Sequence, residues 1–259
     1  MGLALEVEVA KRNQEQVINA RRDRKAIVGR TIPEKFVEQR EEKINSRPLV
    51  PLNDKQRQYI HLINEFDLVL ATGWAGTSKT YIPTVMACDL YLAGKIDKIV
   101  FTRPNISNST SLGMFKGSAV EKLEMWLMPV MNILRDRLGV GALESAVKNG
   151  NIQFVPMEVI KGFSAENCFF IVDEGEDISV AEAKKIVTRQ GRNCKMIISG
   201  DVSQSELKER SGLKLLFSMI DKYPTLHVGT VDFNNINDIV RSEQCKQWVV
   251  AFNKEEQEA

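Results

Sequence analysis

The stretch Asp67-Leu-Val-Leu-Ala-Thr-Gly-Trp-Ala-Gly-Thr-Ser-Lys-Thr80 decides how the rest of the chain is read. It opens on an apolar run suited to a strand covered on both faces. It then passes into Gly73-Trp74-Ala75-Gly76-Thr77-Ser78-Lys79-Thr80, small residues ending in a lysine and a hydroxyl. A loop that wraps polyphosphate needs small residues so that backbone N–H groups converge at a helix N-terminus, a lysine for the β- and γ-phosphates, and a hydroxyl for Mg2+. Lys79 and Thr80 supply the last two, and residues 79–93 have the composition of the helix that should follow. The pattern GxxxxGK[ST] carries glycine where this chain carries Ser78, at a place where glycine normally relieves backbone strain. An ordinary strand-turn-helix is the plainer alternative.

Outward from this loop, apolar runs alternate with helical periods. Residues 67–72, 98–102, 152–155, 168–172, 195–199 and 226–229 read as strands, and residues 79–93, 120–138, 180–188, 213–223 and 236–252 read as helices. The helix over 120–138 places Val120, Leu123, Leu127, Val130 and Leu134 on one stripe, with a kink expected at Pro129. Alternation of this kind predicts an α/β domain with a mostly parallel sheet flanked by helices, from residue 49 to 259.

Two further strand ends carry chemistry. The run 168–172 ends in Asp173-Glu174, at the carboxyl edge where open α/β sheets bind ligands. There an aspartate can hold Mg2+ and the adjacent glutamate can take a proton from attacking water. The run 195–199 ends in Gly200-Asp201-Val202-Ser203-Gln204, a polar turn in which Gln204 can sense a γ-phosphate or orient water, unless it is only a surface turn.

The chain has 259 residues, 35 Lys and Arg against 34 Asp and Glu, and 43% hydrophobic residues. This excludes a globally basic nucleic-acid coat and a low-hydrophobicity disordered chain. Within the balance, residues 1–48 form a charged arm of 11 basic and 8 acidic side chains, net about +3, leaving about −2 for the body. Phe36, Val37 and Ile44 have loose helical spacing, so the arm reads either as short helices docking on the body or a neighbouring subunit, or as a solvated segment. Cys88, Cys168, Cys194 and Cys245 form no CxxC pair and read as reduced thiols, and His61 and His227 have no metal-ligand spacing around them. No apolar run is long enough to span a membrane, and Met1-Gly2-Leu3-Ala4-Leu5-Glu6 turns charged too early for a signal peptide, so the expected compartment is cytoplasmic.

Taken in order, GWAGTSKT, Phe101-Thr-Arg-Pro104 with Ser111-Leu-Gly113, Asp173-Glu174, Gly200-Asp201-Val202-Ser203-Gln204, Ser211-Gly212-Leu213 and Asp238-Ile-Val-Arg-Ser242 resemble the PhoH-like ATPases over about 200 residues. That resemblance implies a RecA-like P-loop NTPase core related to superfamily 1 helicases, with ATP and Mg2+ as cofactors and ATP hydrolysis as the activity. The chain is also similar to the stand-alone versions carried by bacteriophages, which would place it in the host cytoplasm.

The resemblance assigns phosphate contacts to residues 73–80, metal contacts to Thr80 and Asp173, and water activation to Glu174. It makes Gln204 and Arg241 γ-phosphate residues and Gln56, in Pro51-Leu-Asn-Asp-Lys-Gln56, a reader of adenine. Asn53 and Gln56 also have capping-box spacing, so this segment reads equally as a helix start. An arginine completing the site is expected from a neighbouring subunit, which implies a homo-oligomer such as a hexameric ring. RNA or single-stranded nucleic acid is the implied partner, with Arg103, Lys116, Lys122 and the arm facing phosphates.

Two departures stand out: Gly175-Glu176-Asp177 replaces the usual Ala-Gln-Asn, and Lys161-Gly162-Phe163-Ser164 replaces an Arg-Gly-Arg-Thr-like run. Ser78 and the altered run after Glu174 support, as the rival reading, an ATP-gated structural or regulatory oligomer with little or no hydrolysis. A small-molecule P-loop kinase ranks third, because Glu174 suits water activation and no arginine-rich lid is evident.

Overall fold

The structure of the chain, a computed structural model, describes residues 47–104, 128–157, 159–205 and 207–258. The arm up to residue 46, the helical stripe over 120–127, Ser111-Leu-Gly113, Lys116 and Lys122 lie outside the described residues. In chain order the described elements are α1 (Asp54–Glu65), β1 (Leu68–Gly73), α2 (Tyr81–Leu92), β2 (Lys98–Thr102), α3 (Met128–Leu138), α4 (Val140–Lys148) and β3 (Ile152–Phe154). They continue with β4 (Cys168–Val172), α5 (Val180–Val187), β5 (Cys194–Ser199), α6 (Gly212–Lys222), β6 (Gly229–Phe233) and α7 (Glu243–Glu258).

All six strands are parallel, in the order β3-β2-β4-β5-β1-β6. Successive residues of the central strands serve opposite faces. Phe169 and Ile171 of β4 join Tyr59, Ile63, Ile82 and Leu134 in one core. Cys168, Phe170 and Val172 join Ile178, Ala183, Ile186 and Leu213 in the other. A sheet covered on both sides therefore has no polar alternation in its middle strands, which is why they read as unbroken apolar runs. Cys88, Cys168 and Cys194 are buried free thiols, Cys245 is half-buried and free, and no described helix is long and apolar enough to cross a membrane.

Several boundaries differ from the sequence expectation. The last strand is Gly229–Phe233, not 226–229. It is an edge strand with Thr230 and Asp232 exposed between buried Gly229, Val231 and Phe233, so it alternates where a run was sought. The helix expected over 236–252 is divided into one 3-10 turn, Ile236–Asp238, capped by the Asn235 side chain, and then α7. Pro129 falls in the first described turn of α3, and the residues before it, which the expected kink involves, lie outside the described residues. Helix α4 was not anticipated; Gly139, with φ 77°, separates it from α3.

The parallel arrangement gathers the carboxyl ends of β1, β4 and β5 on one edge. Because β5 lies between β1 and β4, the turn after Ser199 stands between the phosphate loop and Asp173-Glu174.

Candidate functional site

The loop after β1 is shaped by three left-handed backbone positions. Gly73 has φ 117°, Gly76 φ 80° and Ser78 φ 75°. Gly73 is sterically obligatory, since a Cβ there would lie 2.3 Å from the carbonyl oxygen of Phe233 on β6. Trp74 N–H donates to that same carbonyl at 2.9 Å, tying the loop to the edge strand. A Cβ on Gly76 would lie 2.9 Å from Cδ of Arg241, and Val240 N–H donates to Gly76 O at 3.0 Å. Arg241 therefore reaches the loop within its own chain.

Ser78 keeps the left-handed conformation that the missing glycine would take without penalty, a strain of about 1–3 kcal/mol for a residue with a Cβ. Its hydroxyl accepts from Gln56 Nε2 at 3.3 Å, and the same amide nitrogen donates to Thr77 O at 3.4 Å. Gln56 is only 2% exposed. Its Oε1 accepts from Leu52 N–H at 2.9 Å, so the segment before α1 is fastened to the loop through one side chain. Asn53 caps α1 by accepting from Gln56 N–H at 2.8 Å, but the reciprocal half of a capping box goes to Leu52 rather than to Asn53.

Lys79 Nζ donates to the carbonyls of Gly73 and, at 2.8 Å, of Trp74. Burial lowers the Lys79 pKa, and Asp201, Glu176, Glu174 and Asp173 all act to raise it. Thr80 begins α2, and its Oγ1 donates to Asp173 Oδ1 at 2.7 Å across 93 residues of sequence. Burial raises the Asp173 pKa, while the Thr80 hydrogen bond opposes the rise. Tyr59, buried on α1, donates its hydroxyl to Lys79 O at 3.1 Å and packs edge-on against Phe233.

At the end of β4, Glu174 adopts φ 53°, and its carboxylate lies 3.4 Å from Arg103 Nη2 at the end of β2. Strain at a residue in this position is the kind that accumulates at functional sites. Gln204 lies on a 3-10 turn and donates to Asp201 Oδ2 at 3.0 Å, while Val202 N–H donates to Thr72 Oγ1 of β1 at 3.4 Å.

Glu176 was noted in the sequence only as a departure from the pattern. It is 4% exposed, and its Oε2 accepts from Asp201 N–H at 3.1 Å. Burial first, and then the neighbouring Glu174 carboxyl, push its pKa up to about 8.

Residues 48–253 match the family described as PhoH-like protein. The chain belongs to the PhoH family. The PhoH-like protein of Bacillus subtilis (strain 168) is 33% identical over 202 residues, 77% of this chain and 62% of that protein. Protein PhoH of Escherichia coli (strain K12) is 30% identical over 213 residues, 81% of this chain and 59% of that protein. The chain thus spans about six-tenths of the length of these PhoH relatives. Among solved structures, the large terminase from the thermophilic bacteriophage D6E aligns with a TM-score of 0.42 at 10% identity, over 77% of this chain and 50% of that one.

Within this PhoH-family chain, the parallel sheet brings Lys79, Thr80, Asp173, Glu174 and Asp201 to one edge, with Arg241 against Gly76. The hydroxyl of Thr80 and the carboxylate of Asp173 are hard oxygen donors that suit Mg2+, which takes one or two protein ligands and completes its shell with phosphate and water. Among the described residues no group of three or more His, Cys, Asp or Glu forms a metal cage.

Proposed function

We propose that the chain binds ATP with Mg2+ at residues 73–80 and hydrolyses it. The Thr80 to Asp173 hydrogen bond of 2.7 Å carries this reading, because it joins the loop hydroxyl to the strand-end carboxylate at the place where a phosphate-bound metal would sit. Lys79 leaves the Gly73 and Trp74 carbonyls to meet the β- and γ-phosphates. The N–H groups of the loop and of the first turn of α2 hold the remaining phosphate oxygens. When bound, Mg2+ would be held by Thr80 and Asp173 and would supply charge neutralisation at the phosphates. Glu174 accepts a proton from the attacking water, and Arg241 offers its guanidinium to the charge that builds on the phosphoryl group. Gln204 orients the water from the far side. Gln56, which joins Leu52 to the loop at Thr77 and Ser78, is the proposed reader of adenine.

Calorimetry with ATP and with ADP, with and without Mg2+, tests the binding half. Binding that is strengthened by Mg2+ and lost in Lys79→Ala is the expected outcome; no affinity for either nucleotide would contradict it.

A second reading, an ATP-gated oligomer with slow turnover, draws support from the contact that Arg103 already makes with the Glu174 carboxylate at 3.4 Å. A homo-oligomer, with a hexameric ring as one closed form, and RNA or single-stranded nucleic acid as a partner are proposals for the assembled protein. The placement of Arg241 in its own chain removes one reason for requiring a neighbouring subunit. Arg103, at the β2 end beside Glu174, is the described residue best placed to couple nucleic acid to hydrolysis.

A further inference from the structure

We infer that Tyr59 is a positioning residue for the phosphate loop: its hydroxyl gives the main-chain carbonyl of Lys79 the hydrogen bond that Pro83 cannot, and so fixes the start of α2, where Lys79 and Thr80 stand. The inference rests on the phosphate-binding reading above and names a further residue that serves it.

In an α-helix the carbonyl of each residue accepts from the N–H four residues on. At the start of α2 this holds on either side of Lys79. Ile82 N–H donates to Ser78 O at 3.1 Å, and Thr84 N–H donates to Thr80 O at 3.3 Å. The donor due to Lys79 O is residue 83, and residue 83 is proline, which has no N–H. The ring stiffens the turn by holding φ at a helical value, but it cannot satisfy the carbonyl four residues back. That carbonyl is on the lysine proposed to meet the β- and γ-phosphates. The Tyr59 hydroxyl donates to it at 3.1 Å from another helix.

The setting of Tyr59 suits this task. It is 0% exposed, so water does not compete for its hydroxyl. Its ring packs edge-on against Phe233 with centroids 5.5 Å apart, and the Phe233 carbonyl in turn receives Trp74 N–H at 2.9 Å. Gln56, three residues earlier and therefore on the same face of α1, donates to Thr77 O and Ser78 Oγ. One face of α1 thus meets residues 77, 78 and 79 in succession, with Tyr59 at the residue that carries the charge. Without the hydroxyl, the Lys79 carbonyl loses its donor, and a junction that relaxes to find another carries Lys79 and Thr80 with it.

The pairing of Tyr59 with Pro83 supplies a test that separates this role from packing. Calorimetry measures ATP binding with Mg2+ in the full chain and its variants, with thermal denaturation as a check on folding. Tyr59→Phe keeps the ring on Phe233 and loses only the hydroxyl, and its ATP affinity is expected to fall about tenfold. Pro83→Ala restores an N–H at residue 83 and is expected to bind ATP within about threefold of the wild type. Adding Pro83→Ala to Tyr59→Phe is expected to bring affinity back to within about threefold of Pro83→Ala alone, because the helix then supplies its own donor. Lost packing would not be repaired in this way. If Tyr59→Phe does not fold, recovery of folded, ATP-binding protein in the double variant is the expected result; if Pro83→Ala does not fold, Pro83→Val restores the same N–H with more of the ring's volume. Unchanged affinity in Tyr59→Phe, or a double variant no better than Tyr59→Phe, would overturn the inference while leaving nucleotide binding intact. Wild-type protein with no affinity for ATP would instead overturn the phosphate-binding reading, and the inference with it.

Discussion

Ser78 shows how one substitution in a phosphate loop can be tolerated. The backbone keeps φ 75°, the conformation expected of glycine, and the Gln56 amide meets the serine hydroxyl at 3.3 Å. Removing the side chain relieves strain but loses that weak bond, so Ser78→Gly should change stability by no more than about 1 kcal/mol. Ser78→Val, a β-branched residue at positive φ, should lose at least about 2 kcal/mol. Urea denaturation of both variants checks the pair, and equal stabilities would refute the strain account.

Glu176 gives a pH prediction of definite sign. Its pKa is about 8 in the fold and about 4.3 in an unfolded chain, so between those values the folded protein holds a proton that the unfolded one has released. Its contribution to stability is complete below the lower value and is lost as pH rises toward the upper one. Glu174 and Asp201 face it from the neighbouring elements, and Lys79 lies within electrostatic reach. Asp89, pushed up to about 6 chiefly by burial, has the same sign and is present in both proteins compared. The melting temperature of Glu176→Gln should therefore fall less between pH 5 and pH 8 than that of the wild type, and parallel slopes would contradict the assignment.

Elements are where sequence and structure can be compared most directly. Strands β2 and β4 were legible to the residue, because burial on both faces demands the unbroken apolar runs at residues 98–102 and 168–172. Strand β6 was displaced because an edge strand need cover only one face, and its Thr230 and Asp232 interrupt the run. The short α4 offered too few turns for its period to stand out beside Gly139 and Gly141. The loop, Thr80 and Asp173 were readable from motif spacing. The contacts of Glu176, Ser205 and Ser211 were not, because they join segments 25 to 35 residues apart that no local pattern encodes. Two element-level outcomes follow. Asn53→Ala removes the α1 cap and should cost about 1 kcal/mol. Gly73→Ala places a methyl 2.3 Å from the Phe233 carbonyl and should abolish soluble, cooperatively folded protein; a cooperative melt near that of the wild type would show the β1–β6 junction to be looser than its geometry.

On the scale of the whole molecule, a single chain supplies every described part of the proposed site, Arg241 included. Assembly is then an independent question. Light scattering with and without ATP answers it, and a monomer under both conditions would remove the ring from consideration without touching the chemistry. The most direct test of the chemistry is phosphate release from ATP and Mg2+ by the wild type and by Glu174→Gln, with Lys79→Ala as a control for phosphate binding. The account predicts measurable wild-type turnover, a loss of about a hundredfold or more in Glu174→Gln with ATP still bound, and loss of both binding and turnover in Lys79→Ala. Wild-type protein that binds ATP yet releases no phosphate, or a Glu174→Gln variant as fast as the wild type, would contradict it.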